Sequence, residues 1–139
     1  METREKKESN LTHADLEQFT GTTQYYRYSP LFRQMVLTDG TRYLAEAGEC
    51  YWLFDHIASL QIHPDIKNHP ELQTLQLWRL DVREDQTGIL TCEWHKDKIV
   101  YTEKIPFIDF PLDHVRVWVA PTWLEDAGCV KVAFLPSEY

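Results

Sequence analysis

The sequence predicts an α+β domain: one long central helix packed on a mostly antiparallel sheet of five to seven strands, with a short N-terminal helix beside it. Two observations carry this. Apolar residues recur at the helical period over residues 41–61, and from Trp78 onward the period becomes two. A third observation makes folding feasible: of 139 residues, 43% are hydrophobic and 13% aromatic, enough to offset the entropy of ordering one domain.

Residues 1–10 are charged and lack an apolar residue after Met1, so they read as a frayed tail before a single domain over residues 11–139. Thr12 with Asp15 approximates a capping box, and Leu11 with Leu16 fits a hydrophobic staple around it. Leu16 and Phe19 give the short helix its apolar edge, and Gly21 ends it. Extended stretches follow at about Thr23–Tyr28 and Phe32–Thr38, with a turn expected at Ser29-Pro30.

The central helix is expected over Thr41 to Gln61. Thr38-Asp39-Gly40 supplies the entry, and Pro64 forces the exit. A 100° wheel collects Tyr43, Leu44, Ala47, Cys50, Tyr51, Phe54, Ile57 and Ala58 on one face. Tyr51, Phe54 and Ile57 should therefore meet Trp78, Leu80, Val117 and Val132 in a helix–sheet core. Residues 63–72, with Pro64 and Pro70, form a connection. Strands are expected around Trp78–Val82, Leu90–Trp94, Ile99–Ile105, Val115–Val119 and Val130–Phe134, joined as a meander with one wet face.

Four phrases stand out together: Phe19-Thr20-Gly21-Thr22, Tyr43-Leu44-Ala45-Glu46, Tyr51-Trp52-Leu53 and the ending Leu135-Pro136-Ser137-Glu138-Tyr139. With them, the stretch from about Leu11 to Tyr139 resembles a family of small bacterial proteins of unknown function, frequent in cyanobacterial genomes and on mobile elements. The resemblance implies a compact domain in a bacterial cytoplasm and no particular chemistry.

Composition excludes several function classes. Net charge is −8, which disfavours phosphate binding and so nucleic acid. No apolar run approaches the roughly 20 residues of a membrane span. Cys50, Cys92 and Cys129 lack disulfide or zinc-finger spacing, which points to the cytoplasm. No metal and no cofactor is expected. Cys92 and His95 have ligand-like spacing but diverge along a strand, and no fixed-spacing pair completes His63 and His69. No GxSxG elbow or phosphate-cradling glycine loop occurs. Asp109 and Asp113 read as solvated loop acids. No residue is assigned a catalytic role.

Two surfaces remain as binding candidates. Opposite the apolar helix face the wheel gathers Gly48, Trp52, Asp55, His56 and Ser59, with Trp52/His56 and Asp55/Ser59 four apart. A tryptophan there needs cover, so Trp52 is expected to be buried against Leu16, Phe19, Tyr26 or Met35. On the wet sheet face Arg79, Glu93, His95, His114, Arg116 and Trp118 should project together, and Arg116 and Trp118 are residue types enriched in binding hot spots. The expected function is a non-enzymatic module binding another protein through Trp52, Asp55, His56, Ser59, Arg116 and Trp118. A homo-oligomer is compatible with this. The alternative is a small hydrolase using a His/carboxylate pair beside the central helix.

Overall fold

The computed structural model describes residues 11–139, so the tail expected over residues 1–10 lies outside the described residues. Helix α1 (His13–Glu17) starts on a complete capping box. Asp15 N–H donates to Thr12 Oγ1 at 3.1 Å, and Thr12 N–H donates to the Asp15 carboxylate at 3.0 Å. Leu11 and Leu16 are buried around it. Strands β1 (Tyr26–Arg27) and β2 (Met35–Leu37) pair antiparallel, joined by a loop with a turn from Ser29 to Phe32.

The long central helix is not present. In its place stand α2 (Asp39–Ala47) and α3 (Tyr51–Ser59), separated by a break at residues 48–50. A Cβ on Gly48 would lie 2.9 Å from both the Leu44 carbonyl oxygen and Phe110 Cε1, so the close approach of Phe110 from a distant loop leaves room only for glycine at the break. Glu49 then adopts a left-handed φ of 50°, and Cys50 is non-helical. The break shifts the helical phase. Tyr51 turns outward to 36% exposure, while Leu53, Phe54 and Ile57 stay buried. A 3-10 turn (Leu60–Ile62), α4 (Pro64–Lys67) and a second 3-10 turn (Pro70–Gln73) complete the helical layer.

The sheet continues with β3 (Gln76–Val82), β4 (Gly88–His95), β5 (Lys98–Ile105), β6 (His114–Leu124) and β7 (Gly128–Phe134), in the order β1-β2-β7-β6-β3-β4-β5. The five period-two runs are strands, but not a simple meander: β6 returns across the sheet to pair with β3. The sheet is mixed, because β2 runs parallel to β7 whereas the other pairings are antiparallel.

Leu44, Leu53, Phe54 and Ile57 share the main core with Trp78, Leu80, Val115 and Val117. Val132, expected in that core, belongs with Val36, Val130 and Phe134 to a separate cluster on the opposite face. The Val130, Val132 and Phe134 stripe of β7 faces away from the helices, and register hands the helix-facing side to Ala133. The C-terminal phrase closes the fold: the Glu138 carboxylate accepts from Thr38 Oγ1 at 2.7 Å, Leu135 N–H at 2.8 Å and Gly40 N–H at 3.0 Å. It thereby sits over the N-terminus of α2. Among the described residues no helix is long and apolar enough to cross a membrane.

Candidate functional site

Helix α3 sends its polar side chains in different directions. His56 Nε2 lies 2.8 Å from Glu103 Oε1 on edge strand β5, and Tyr101 OH donates to the same oxygen at 2.7 Å. Glu103 reaches this spot because Tyr101 and Glu103, two apart on β5, face the helices with Cys92 and Leu90. Burial works to raise the Glu103 carboxyl, but the hydrogen bonds from Tyr101 and His56 and the His56 charge outweigh it, and the group sits below its ordinary value. Burial first, and then the bond to Glu103, push the Tyr101 phenol up to about 12. Asp55 lies near Tyr28, whose phenol is raised first by burial and then by the Asp55 charge. Tyr28 OH makes no hydrogen bond among the described residues.

The expected Asp55–Ser59 pairing along the helix is not made. Ser59 Oγ donates to the His56 backbone carbonyl at 2.8 Å rather than to Asp55. Trp52 is half-buried and packs against the main core, so it is neither the free surface indole nor the fully enclosed one. The His/carboxylate pair of the hydrolase alternative does exist, as His56 and Glu103. Ser59 Oγ beside it is engaged with the backbone, and burial pushes the thiols of Cys50 and Cys92 up to about 12.

The wet face assembles as the register requires. Arg79 stands opposite Arg116, Leu77 opposite both Trp118 and Glu93, and Asp81 opposite His114. Arg79 is held by its own strand, its Nε donating to the Asp81 carboxylate oxygens at 2.8 and 3.0 Å. Glu93 on β4 and Arg116 on β6 are separated by β3, so they do not stand opposite one another. Irregular register after Cys92 leaves His95 at the exposed end of β4. Trp118 packs edge-on against Phe134 at 6.3 Å and Tyr139 at 5.4 Å, which makes it part of an aromatic cluster rather than a free platform.

A third feature had no signal in the sequence. A groove of about 590 Å³ lies where the end of α3 and the turn after it face the start of β7. Its walls are Leu31, Phe32 and Met35 on one side, Ala58, Ser59 and Ile62 on the other, with Cys129, Val130 and Lys131 along β7. Leu31 and Ile62 are 83% and 80% exposed at its rim. Beside it the edge of β7 is open. Lys131 N–H donates to the Gln34 carbonyl at 2.7 Å, so the Lys131 backbone faces β2; its opposite number on β6 is Pro121, which has no N–H to offer. By the period of two, the N–H and C=O of Cys129 point to the same side as those of Lys131, where β2 no longer runs. Arg33 and Lys131 are the groove's charged residues. Burial lowers the Lys131 ammonium pKa, and neither cation forms an ion pair among the described residues. Of the sequence-derived candidates, only Ser59 belongs to this groove.

No curated protein and no solved structure is significantly similar to this chain. A family of unknown function, DUF6876, matches residues 10–139, and the chain belongs to that family.

Proposed function

We propose that this protein is a non-enzymatic protein-binding module that takes an extended, acidic and apolar segment of a partner into the groove beside β7. The observation that carries the reading is an apolar groove beside the Cys129 end of β7, beyond its pairing with β2, whose charged lining residues are both basic, in a chain of net charge −8. An extended segment would add to the Cys129 edge through main-chain hydrogen bonds and place alternate side chains against Met35, Ile62 and Leu31. Its carboxylates would meet Arg33 and Lys131, whose half-buried ammonium has surrendered hydration without a counter-ion. Net charge argues against nucleic acid as the partner. The same reading has the protein work in a bacterial cytoplasm, which its three free cysteines support.

The test uses short probe peptides alternating Val with Glu, and matched peptides alternating Val with Lys, titrated by calorimetry. The acidic probe should bind one to one and the basic probe should not. Ile62→Asp and Lys131→Glu should each weaken binding about tenfold or more, since truncated interface anchors cost above about 1 kcal/mol, while the melting temperature stays close to that of the parent. Equal binding of both probes, or indifference to Ile62→Asp, overturns the reading. So does a sedimenting dimer that Ile62→Asp dissolves, because a second copy would then be the occupant.

A further inference from the structure

The side chains of His13, Asp113 and His114 converge where α1 meets the start of β6. His13 Nε2 lies 2.9 Å and His114 Nδ1 3.0 Å from one and the same oxygen, Asp113 Oδ1. The two imidazole rings stack with centroids 4.5 Å apart. One ligand-capable atom from each residue fits within 4.8 Å of the others. Neighbouring ligands around a four-coordinate ion with bonds near 2 Å are roughly 3.3 Å apart, so a modest spreading of the three side chains would seat an ion between them.

From this geometry we infer that His13, Asp113 and His114 form a site for a divalent transition-metal ion of the zinc type, open on one side to the small cleft beside α1. Two imidazoles and one carboxylate are the donor set that zinc, nickel and copper favour over magnesium or calcium, which seek oxygen ligands throughout. Two imidazoles and a carboxylate already gathered onto one solvent-exposed oxygen need little rearrangement to turn their lone pairs onto an ion. The cleft of about 170 Å³ that His13 and His114 line also presents Glu17 and Ser137, leaving the remaining coordination position to water or an incoming ligand. The protein's acidic balance favours a cation there, although Arg116, two residues from His114 on the same face of β6, works against it. The ion would tie residues a hundred positions apart in sequence, α1 to β6, and so add to stability in proportion to its occupancy.

The experiment is a titration of the full chain with Zn²⁺ alone, followed by calorimetry and by the imidazole proton signals in NMR. One ion should bind per chain, the signals of His13 and His114 should move first among the histidines, and the melting temperature should rise with Zn²⁺. His13→Ala and Asp113→Asn, both on the surface, should each lower affinity by more than about tenfold, as ligand loss exceeds the effect of outer-shell changes. The Cys129→Ser variant should bind as the parent does. Absence of binding overturns the site, and so does binding that survives His13→Ala and Asp113→Asn or depends on Cys129.

Discussion

Single residues divide the face of α3 more sharply than a helical wheel can. Phe54 is wholly buried among sheet residues, whereas its neighbour in the wheel, Tyr51, is exposed and hydrogen-bonded to Glu46 at 3.3 Å. Phe54→Ala should therefore cost roughly 3–5 kcal/mol in a denaturant melt, in line with other large-to-small core changes. Tyr51→Ala should cost less than about 1 kcal/mol, as changes at exposed positions do. Equal losses at the two positions would mean that the break between α2 and α3 is absent in solution. Glu103 makes a second prediction at this scale. Its folded pKa lies below its ordinary value, so the stability it contributes is present above the unfolded value of about 4.3 and is lost as pH falls through the folded one. Glu103→Gln should be less stable than the parent near neutral pH, and the gap should close below about pH 4. Urea melts at neutral and acid pH would show it; a gap independent of pH would mean that the His56–Glu103–Tyr101 contact is merely steric.

Among the elements, α2 depends most visibly on a distant partner. Its own capping box, Thr38 with Thr41, satisfies part of the N-terminus. The Glu138 carboxylate accepts the Gly40 N–H and the Thr38 hydroxyl, placing negative charge at the positive end of the helix. A Cβ on Gly40 would come 2.8 Å from Glu138 Cδ, so glycine is what allows this approach. Glu138→Ala should cost about 1.5–3 kcal/mol, the range for hydrogen bonds to charged groups. Glu138→Gln, which keeps an acceptor oxygen, should cost visibly less. Thermal melts of the pair check this, and equal losses would show that shape rather than charge holds the terminus. Strand β5 is the contrasting case. It is a sheet edge tied to the helices by the Glu103–His56 contact and by Tyr101, whose ring meets His63 edge-on at 5.2 Å, and its outward side carries Lys98, Thr102 and Lys104, polar residues that discourage further pairing.

At the scale of the whole molecule, the sheet has a helix-covered face and an open one, and the two carry different opportunities. The covered face holds the groove at its β7 end. The open face buries Val36, Val130, Val132 and Phe134 in a second cluster with Trp118. Arg116 and Trp118, read from the sequence as one binding surface, are separated in role there: Trp118 packs with Phe134 and Tyr139, while Arg116 stays exposed. The His13–Asp113–His114 cluster likewise exists only because the chain's first helix docks beside the strand that begins a hundred residues later.

Local rules were legible wherever the signal lay within a few residues. The capping box of α1, the five period-two strands, the buried Leu53, Phe54 and Ile57, and the alternation that puts Arg79, Arg116 and Trp118 on one face all follow from neighbours in the chain. Tertiary contacts decided the rest. The helical pattern of residues 41–61 was real, but the helix breaks at residues 48–50, where Phe110 packs against Gly48, and an unbroken wheel could not register a contact from sixty residues away. Periodicity on β7 pointed the apolar Val130, Val132 and Phe134 stripe at the helices; pairing with β2 and β6 gave that side to Ala133 instead. The carboxylate for His56 came from β5 instead of the adjacent Asp55, because helix position over the sheet, not spacing along the helix, sets which side chains meet. The groove and the two-histidine cluster belong to the same class, since both are made by where elements stop and dock, and sequence periodicity carries no record of that.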